Sequence, residues 1–226
     1  MARGTVRLKS PDPTAAPEIR FNFLKRLVDD AIDDIDGDAV DVERLRDRVG
    51  DHGLRASILD LAKKRAEQLE LQGAAFPWRT IRGEECSAYW PAGTAAWHVN
   101  ADIAMAFERY RTVTGDHSLE TDCGLSVLVE TARLWISLGH HDRDGVWHLD
   151  GVTGPDEYTA VVRDNVFTNL MAAHNLRIAA NACRRHPDAA SAKGVSSEEA
   201  AAWRHAADAV HIPYDDELAV HQQCEG

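Results

Sequence analysis

Apolar residues recur three and four positions apart along most of this chain, and this helical spacing is the feature that most limits its fold. The clearest helices are predicted from Asn100 or Asp102 to Gly115 and over residues 125–138 and 165–184. A further helix over residues 200–210 is preceded by a capping-box pair of Ser196 and Glu199. Weaker patterns predict helices from Glu18 to Ile35, from about Val42, and from Arg55 to Leu71. Strand alternation of useful length and hairpin signals are lacking, so the sequence predicts an all-α protein.

The charge of the chain argues against two classes of partner. The 226 residues include 25 Lys and Arg against 37 Asp and Glu, which gives a formal net charge of −12. Nucleic acid and anionic membranes both require basic surfaces, and no apolar run approaches the length of a bilayer span. The first ten residues lack a signal peptide, and the four cysteines form no Cys-x-x-Cys pair. We therefore predict a cytoplasmic protein with reduced thiols and no nucleic-acid or membrane partner.

Two connections between predicted helices, residues 73–99 and 139–163, are much longer than the usual loop and are therefore candidates for function. Four of the six tryptophans lie in them, namely Trp78, Trp90, Trp97 and Trp147. The same segments carry carboxylates, histidines and arginine. Aromatic faces beside hydrogen-bonding groups suit a neutral polar ligand with apolar faces, and a sugar is the obvious candidate.

The second connection contains a rigid turn with two adjacent carboxylates, Gly154-Pro155-Asp156-Glu157-Tyr158. Adjacent side chains in a turn point in different directions, so one carboxyl can face a ligand while the other braces the loop. A carboxyl crowded by a second acid and by aromatic rings has a raised pKa, which suits a general acid near neutral pH. From spacing alone, a plain Pro-Asp turn that caps the next helix is the more common structure.

Other site patterns have little support. The histidines and acids over residues 140–148 match no zinc spacing, and Gly145 directly after Asp144 breaks the calcium-loop pattern, so we predict a solvated loop and no metal. His98 and Asp102, four residues apart where a helix begins, line a polar pocket, bond to each other, or cap that helix. Nucleophile-elbow, P-loop and dinucleotide fingerprints are all missing.

Six stretches together resemble the middle of the catalytic domain of glycoside hydrolase family 65. They are GAAFPWRTIRGEEC, HVNADIA, VETARLW, GVTGPDEY, DNVFTNLMA and IPYDDELAVHQQCEG, in the family's order. The family includes maltose, trehalose, kojibiose and nigerose phosphorylases and some hydrolases. The resemblance implies a partial (α/α)6 toroid, a ring of helical hairpins, for residues 55–226, and leaves residues 1–54 as an unrecognised helical segment.

The resemblance also implies a role for individual residues. Glu157 would be the general acid that protonates the glycosidic oxygen of an α-glucosidic disaccharide. Inorganic phosphate, the co-substrate, would attack from the opposite face and release β-glucose 1-phosphate; no other cofactor is implied. Trp90 falls in the family's variable acceptor loop. The residues expected to line or brace the sugar pocket are Phe76, Trp78, Arg82, Glu85, Trp90, His98 and Asp102.

The sequence departs from the family in two places. A Trp-Asp motif is expected upstream of Trp78 and is missing, and the phosphate-binding segments and Lys-Gln pair of the family follow the point where this chain stops, at Gly226. We therefore expect about half a toroid. One hypothesis is a disaccharide phosphorylase, or a hydrolase of the same family. The other is a non-catalytic helical fragment that binds sugars at most, with exposed helix faces covered by a homodimer partner or a complementing fragment.

Overall fold

The computed structural model describes residues 5–7, 18–20, 56–87, 95–156 and 158–225. The chain divides into two units, Met1–Val49 and Gly50–Gly226. In the first unit, strands β1 (Thr5–Arg7) and β2 (Glu18–Arg20) pair antiparallel. The helix predicted from Glu18 is therefore wrong at its start, because its first three residues belong to β2. Its remainder and the helix predicted from Val42 lie outside the described residues.

The second unit is mainly helical. Its elements in chain order are α1 (Leu59–Gln68), α2 (His98–Thr114), a π-helical turn (Glu120–Gly124), α3 (Leu125–Leu138), β3 (Gly139–His141), β4 (Trp147–Leu149), α4 (Val166–Arg185), α5 (Pro187–Ala192), α6 (Ser197–Ala209), β5 (Tyr214–Asp215) and β6 (Val220–His221). Strands β3 and β4 form one antiparallel hairpin, and β5 and β6 form another. The helical character of this unit agrees with the predicted fold class. The two short hairpins were missed, since strands of two or three residues are too short to show alternation.

The helix ends follow the local signals in the sequence. Gly115, at φ 66°, ends α2 in the left-handed conformation that glycine adopts without strain. The Asn165 side chain accepts the Thr168 amide at 3.0 Å and begins α4. The Ser196 hydroxyl accepts the Glu199 amide at 3.1 Å and begins α6, as the capping box predicts. Helix α3 has the predicted bounds.

Helix α4 lies at the centre of this unit and packs against α2, α3 and α6. Small buried side chains allow this close packing: Ala172, Ala173, Ala179, Ala180 and Ala182. Buried Asn175 accepts the Trp135 indole N–H at 2.8 Å and donates to the Thr131 hydroxyl at 3.1 Å, which fixes α4 against α3. No helix among the described residues is both long and apolar enough for a membrane span.

Two of the tryptophans predicted to face a ligand belong to the core. Trp147 lies in β4 and is 1% exposed, and Trp97, directly before α2, is also buried. A β-carbon at Gly139, the first residue of β3, would collide with the Trp147 ring. Trp147 is therefore a packing residue, and Trp78, at 37% exposure, is the loop tryptophan that keeps solvent contact in the described segments.

The π-helical turn carries a buried carboxylate, Glu120. Arg185 donates to it through Nε at 3.1 Å and Nη2 at 2.7 Å, and His186 Nε2 lies 2.7 Å from Oε1. Burial alone would raise the pKa of Glu120, but these bonds outweigh burial and hold it below its ordinary value. These bonds between Glu120 and the two basic residues join the start of α3 to the end of α4.

Replacing Glu120 with Gln should destabilise the unit by about 1–3 kcal/mol at neutral pH, because Arg185 and His186 lose a buried charged acceptor while Glu108 stays 3.3 Å from Arg185. Since the folded pKa of Glu120 is lowered, its contribution is present above the unfolded pKa and is lost as pH falls through the folded value. Urea unfolding at several pH values measures both effects. Glu67→Gln, at an exposed position of α1, is the control, and equal destabilisation by the two changes would contradict the assignment.

Candidate active site

The FPW segment after α1 is held by buried polar groups. Arg65 of α1 donates through Nη1 to the Phe76 carbonyl at 2.8 Å, and Asn100 of α2 accepts the Phe76 amide at 2.9 Å. The Arg65 guanidinium also lies 5.6 Å from the ring centre of Trp97. Phe76 itself is buried, so it braces the site and does not line it. Trp78, two residues later, is placed by this anchored backbone.

Glu85 acts as a brace for the same loop. Its carboxylate accepts the backbone amides of Trp78 at 2.7 Å and Ser87 at 2.9 Å, and it lies 3.3 Å from Arg65 Nη2. Burial works to raise the pKa of Glu85, but the bonds from Ser87 and Trp78 outweigh it and lower the pKa. The carboxylate thus stays ionised and occupied by its own loop. Arg82 lies exposed in this loop.

His98, the first residue of α2, joins three segments. Its ring centre lies 5.8 Å from that of Trp78 and 5.6 Å from that of Phe167 of α4, both edge-on. Its Nδ1 lies 3.2 Å from the Thr153 carbonyl in the GVTGP segment. The structure therefore brings Trp78 and His98 together beside the turn predicted to carry the acid, and adds Phe167 to them.

Asp102 follows His98 by four residues and so lies one turn further along α2 on the same face. The residue keeps contact with solvent, but desolvation of its carboxyl by surrounding protein raises its pKa to about 6. A carboxyl with this pKa is partly protonated near neutral pH. The start of α2 has no side-chain cap, and Asp102 lies beyond its first turn, so the predicted helix cap is not formed.

Asp156 is the bracing member of the predicted carboxylate pair. Its Oδ1 accepts the Tyr158 amide at 3.1 Å, and its Oδ2 accepts the Thr159 hydroxyl at 3.3 Å and the Gln223 side-chain amide at 2.8 Å. These bonds, with that of Gln223 the strongest, lower the pKa of Asp156. Helix α4 is capped instead by Asn165, so the interpretation of this turn as a helix cap is wrong. Glu157 and Trp90 lie outside the described residues.

The base of this loop depends on residues that the sequence did not single out. Buried Asp164 accepts the Leu149 amide at 3.0 Å and the Asn169 side-chain amide at 2.8 Å, and its Oδ2 lies 2.6 Å from His148 Nδ1. Burial opposes ionisation, yet these bonds lower the pKa of Asp164. A β-carbon on Gly154 would collide with the Asn165 side chain, so the loop packs closely on the start of α4. The sequence signal for this junction is the Asp164-Asn165 pair, which directly precedes the apolar run of α4.

Two clusters in the described part of the chain have the donor types of a metal site. They are His117, Glu120 and His186, and His148, Asp164 and Glu225. In the first cluster Glu120 is occupied by Arg185 and His186, and in the second Asp164 accepts three hydrogen bonds. Hydrogen bonding within the protein therefore accounts for both clusters.

Replacing Asp102 with Asn should remove the pH dependence that this carboxyl gives to the free energy of unfolding. A carboxyl with a raised folded pKa binds its proton more tightly in the folded state, so its favourable contribution is lost as pH rises from about 4 to about 6. The wild type should therefore lose stability relative to Asp102→Asn over this range. Urea unfolding of both proteins at about pH 4, 5, 6 and 7 measures the difference, and a constant difference would contradict the raised pKa.

Comparison with known proteins identifies a family over most of this chain. The family model of the glycosyl hydrolase family 65 central catalytic domain matches residues 53–226. An uncharacterized glycosyl hydrolase of Mycobacterium tuberculosis is 81% identical over 172 residues, covering 76% of this chain and 22% of the relative. An alpha,alpha-trehalose phosphorylase of Geobacillus stearothermophilus is 47% identical over 178 residues, covering 75% and 23%.

A solved structure supports the same assignment. A candidate kojibiose phosphorylase from the human microbiome superposes with a TM-score of 0.69 at 26% identity, covering 75% of this chain and 26% of the other. The chain spans less than a quarter of the length of these curated relatives. With the family model matched over residues 53–226, the chain belongs to glycosyl hydrolase family 65.

Proposed function

We propose that this chain supplies the proton-donating side of an inverting glycoside phosphorylase site, with Glu157 as the general acid. The substrate is an α-glucosidic disaccharide, and the products are β-glucose 1-phosphate and a free sugar. Family membership and the phosphorylases among its relatives support this activity. We further propose that the helices of residues 55–226 form part of an (α/α)6 toroid, while residues 1–54 form a separate segment.

The proposal rests on the hydrogen bonds that already occupy the Asp156 carboxylate. Its carboxylate accepts hydrogen bonds from Gln223, Tyr158 and Thr159, and its pKa is lowered. A carboxylate held in the charged form is a poor proton donor at neutral pH. Of the two adjacent acids in the GPDEY motif, Glu157 is therefore the one left for proton transfer.

The proposed reaction follows from one acid and an external nucleophile. Glu157 gives its proton to the glycosidic oxygen as the bond to the anomeric carbon breaks. An oxygen of inorganic phosphate forms the new bond to that carbon from the opposite face, which inverts the configuration. The leaving sugar carries the proton away as a hydroxyl group, and Glu157 is left as a carboxylate. Solvent returns its proton before the next cycle.

The sugar contacts are proposed on exposure and chemistry. Trp78 offers a partly exposed aromatic face for stacking, held edge-on against His98. Asp102 and Arg82 offer hydrogen-bonding groups that are open to solvent, and Trp90 is proposed as the acceptor-side platform. Glu85 is proposed only as a positioning residue, since its carboxylate is occupied by backbone amides.

The test is product formation by the purified chain from trehalose, maltose, kojibiose and nigerose, each with and without phosphate. We expect glucose 1-phosphate from one of these sugars, only when phosphate is present. Glu157→Gln should lower kcat by roughly 100- to 10,000-fold, the usual worth of a positioned general acid. Enzymatic assay of glucose 1-phosphate and anomer analysis by NMR provide the measurements.

Glu217→Gln, an exposed carboxylate between β5 and β6, is the matched control and should retain full activity. Formation of free glucose without phosphate would show that the activity is hydrolysis and not phosphorolysis. Absence of product from all four sugars would overturn the proposal for this chain. Full activity of Glu157→Gln with loss in Asp102→Asn would transfer the acid role to Asp102.

A further inference from the structure

The segment after β6 crosses back over the base of the proposed catalytic loop. The Gln223 carbonyl accepts the Val166 amide at 2.9 Å and the Asn165 side-chain amide at 3.2 Å, both at the start of α4. Two residues later, the Glu225 amide donates to the Arg163 carbonyl at 3.1 Å. The backbone on both sides of Cys224 is thus fixed to the end of the loop and the beginning of the helix.

From this fixed backbone the Gln223 side chain reaches the tip of the loop. Its Nε2 donates to Asp156 Oδ2 at 2.8 Å, across 67 positions of sequence. The loop closes on itself through the paired backbones of Val152 and Val162, with N–O distances of 3.0 and 2.8 Å. Beyond that closure the tip at residues 155, 156 and 158 is exposed. Within the described part of the chain, Gln223 makes the hydrogen bond that reaches Asp156 from outside the loop.

We propose that Gln223 is a positioning residue for the general acid, acting through the carboxylate of Asp156; this inference rests on the proposed role of Glu157. Asp156 is joined to Glu157 by a single peptide bond, so a shift of the Asp156 backbone moves the attachment point of the acid. Misplacement of about 1 Å can cost a hundredfold in rate. The hydrogen bond from Gln223 restrains that shift.

The chemistry of an amide suits this task. The Gln223 amide donates to a carboxylate without carrying a charge, so it restrains Asp156 and lowers its pKa while adding no cation beside the sugar site. A carboxylate at position 223 would instead repel Asp156 at hydrogen-bond distance. Gln223→Glu, of nearly identical shape, therefore reverses the sign of the contact without removing volume.

The neighbouring glutamine provides a matched control. The Gln222 side chain lies 3.5 Å from Asp215 on β5 and makes its contact away from the loop. Gln223→Ala, Gln223→Glu and Gln222→Ala should unfold at similar temperatures, because both glutamine side chains lie at exposed positions. Any difference between these variants in measurements on the loop then reflects the contact with Asp156 and not a change in global stability.

Two readouts do not require turnover. In Gln223→Ala the pKa of Asp156, measured by carbon-13 NMR titration, should rise towards the ordinary value for aspartate. Hydrogen exchange at the Tyr158 amide, which donates to Asp156, should accelerate. Gln222→Ala should leave both unchanged. If both stay unchanged in Gln223→Ala as well, the proposal is overturned, whether or not the chain turns over any sugar.

With an active sugar in hand, kinetics complete the test. Gln223→Ala should lower kcat by roughly 10- to 100-fold while KM for the sugar changes by less than about twofold, and Gln223→Glu should lower it further. Wild-type values in Gln223→Ala would overturn the proposal. Lack of activity in the wild type would refute the proposed function instead, and the decision on Gln223 would then come from the NMR and exchange data.

Discussion

The buried carboxylate of Asp164 fastens the site to the core. One oxygen accepts the Leu149 amide at the end of β4 and the Asn169 side chain one turn into α4, and the other lies beside His148. Three donors offset the desolvation of one charge, which is why the charge can stay buried. Asp164 therefore fixes β4 relative to α4, and these two elements position the loop of residues 150–163 that joins them. The backbone of Asp164 has φ 49°, a conformation that its hydrogen bonds must maintain.

Asn165 extends this junction in three directions. Its side chain caps α4 through Thr168, donates to the Gln223 carbonyl, and packs where any β-carbon on Gly154 would lie. The rigid GVTGP segment can approach the helix only because position 154 is glycine. The Asn165 amide thus contacts the helix start, the loop base and the segment after β6, beside the backbone bonds that also join them.

The sequence predicts the helices well and the site only in part. Capping and stop residues such as Asn165, Ser196 and Gly115 determine helix ends locally, so their pattern is sufficient. The contact of His98 with the Thr153 carbonyl joins residues 55 positions apart, and spacing carries no signal for it. Trp147 was misassigned to a ligand-facing loop because three-residue strands leave no periodicity. Whether an acid lines a pocket or braces it depends on the donors around it, so Glu85 and Asp156 could be assigned only from their contacts.

Two acids in the described site show opposite pKa shifts. Asp156 has a lowered pKa because Gln223 and neighbouring groups stabilise its charged form, whereas desolvation raises the pKa of Asp102 to about 6. Acid catalysis near neutral pH needs a carboxyl that can hold a proton. A difference in pKa between two acids therefore indicates which can donate a proton and which stays ionised. Asp156 is thereby restricted to structure. Asp102 lies one helical turn from His98, and desolvation raises its pKa although the residue keeps contact with solvent. The proposed division of roles therefore has a chemical basis: Glu157 is proposed to transfer the proton, Asp156 to hold the loop and Asp102 to bind the sugar.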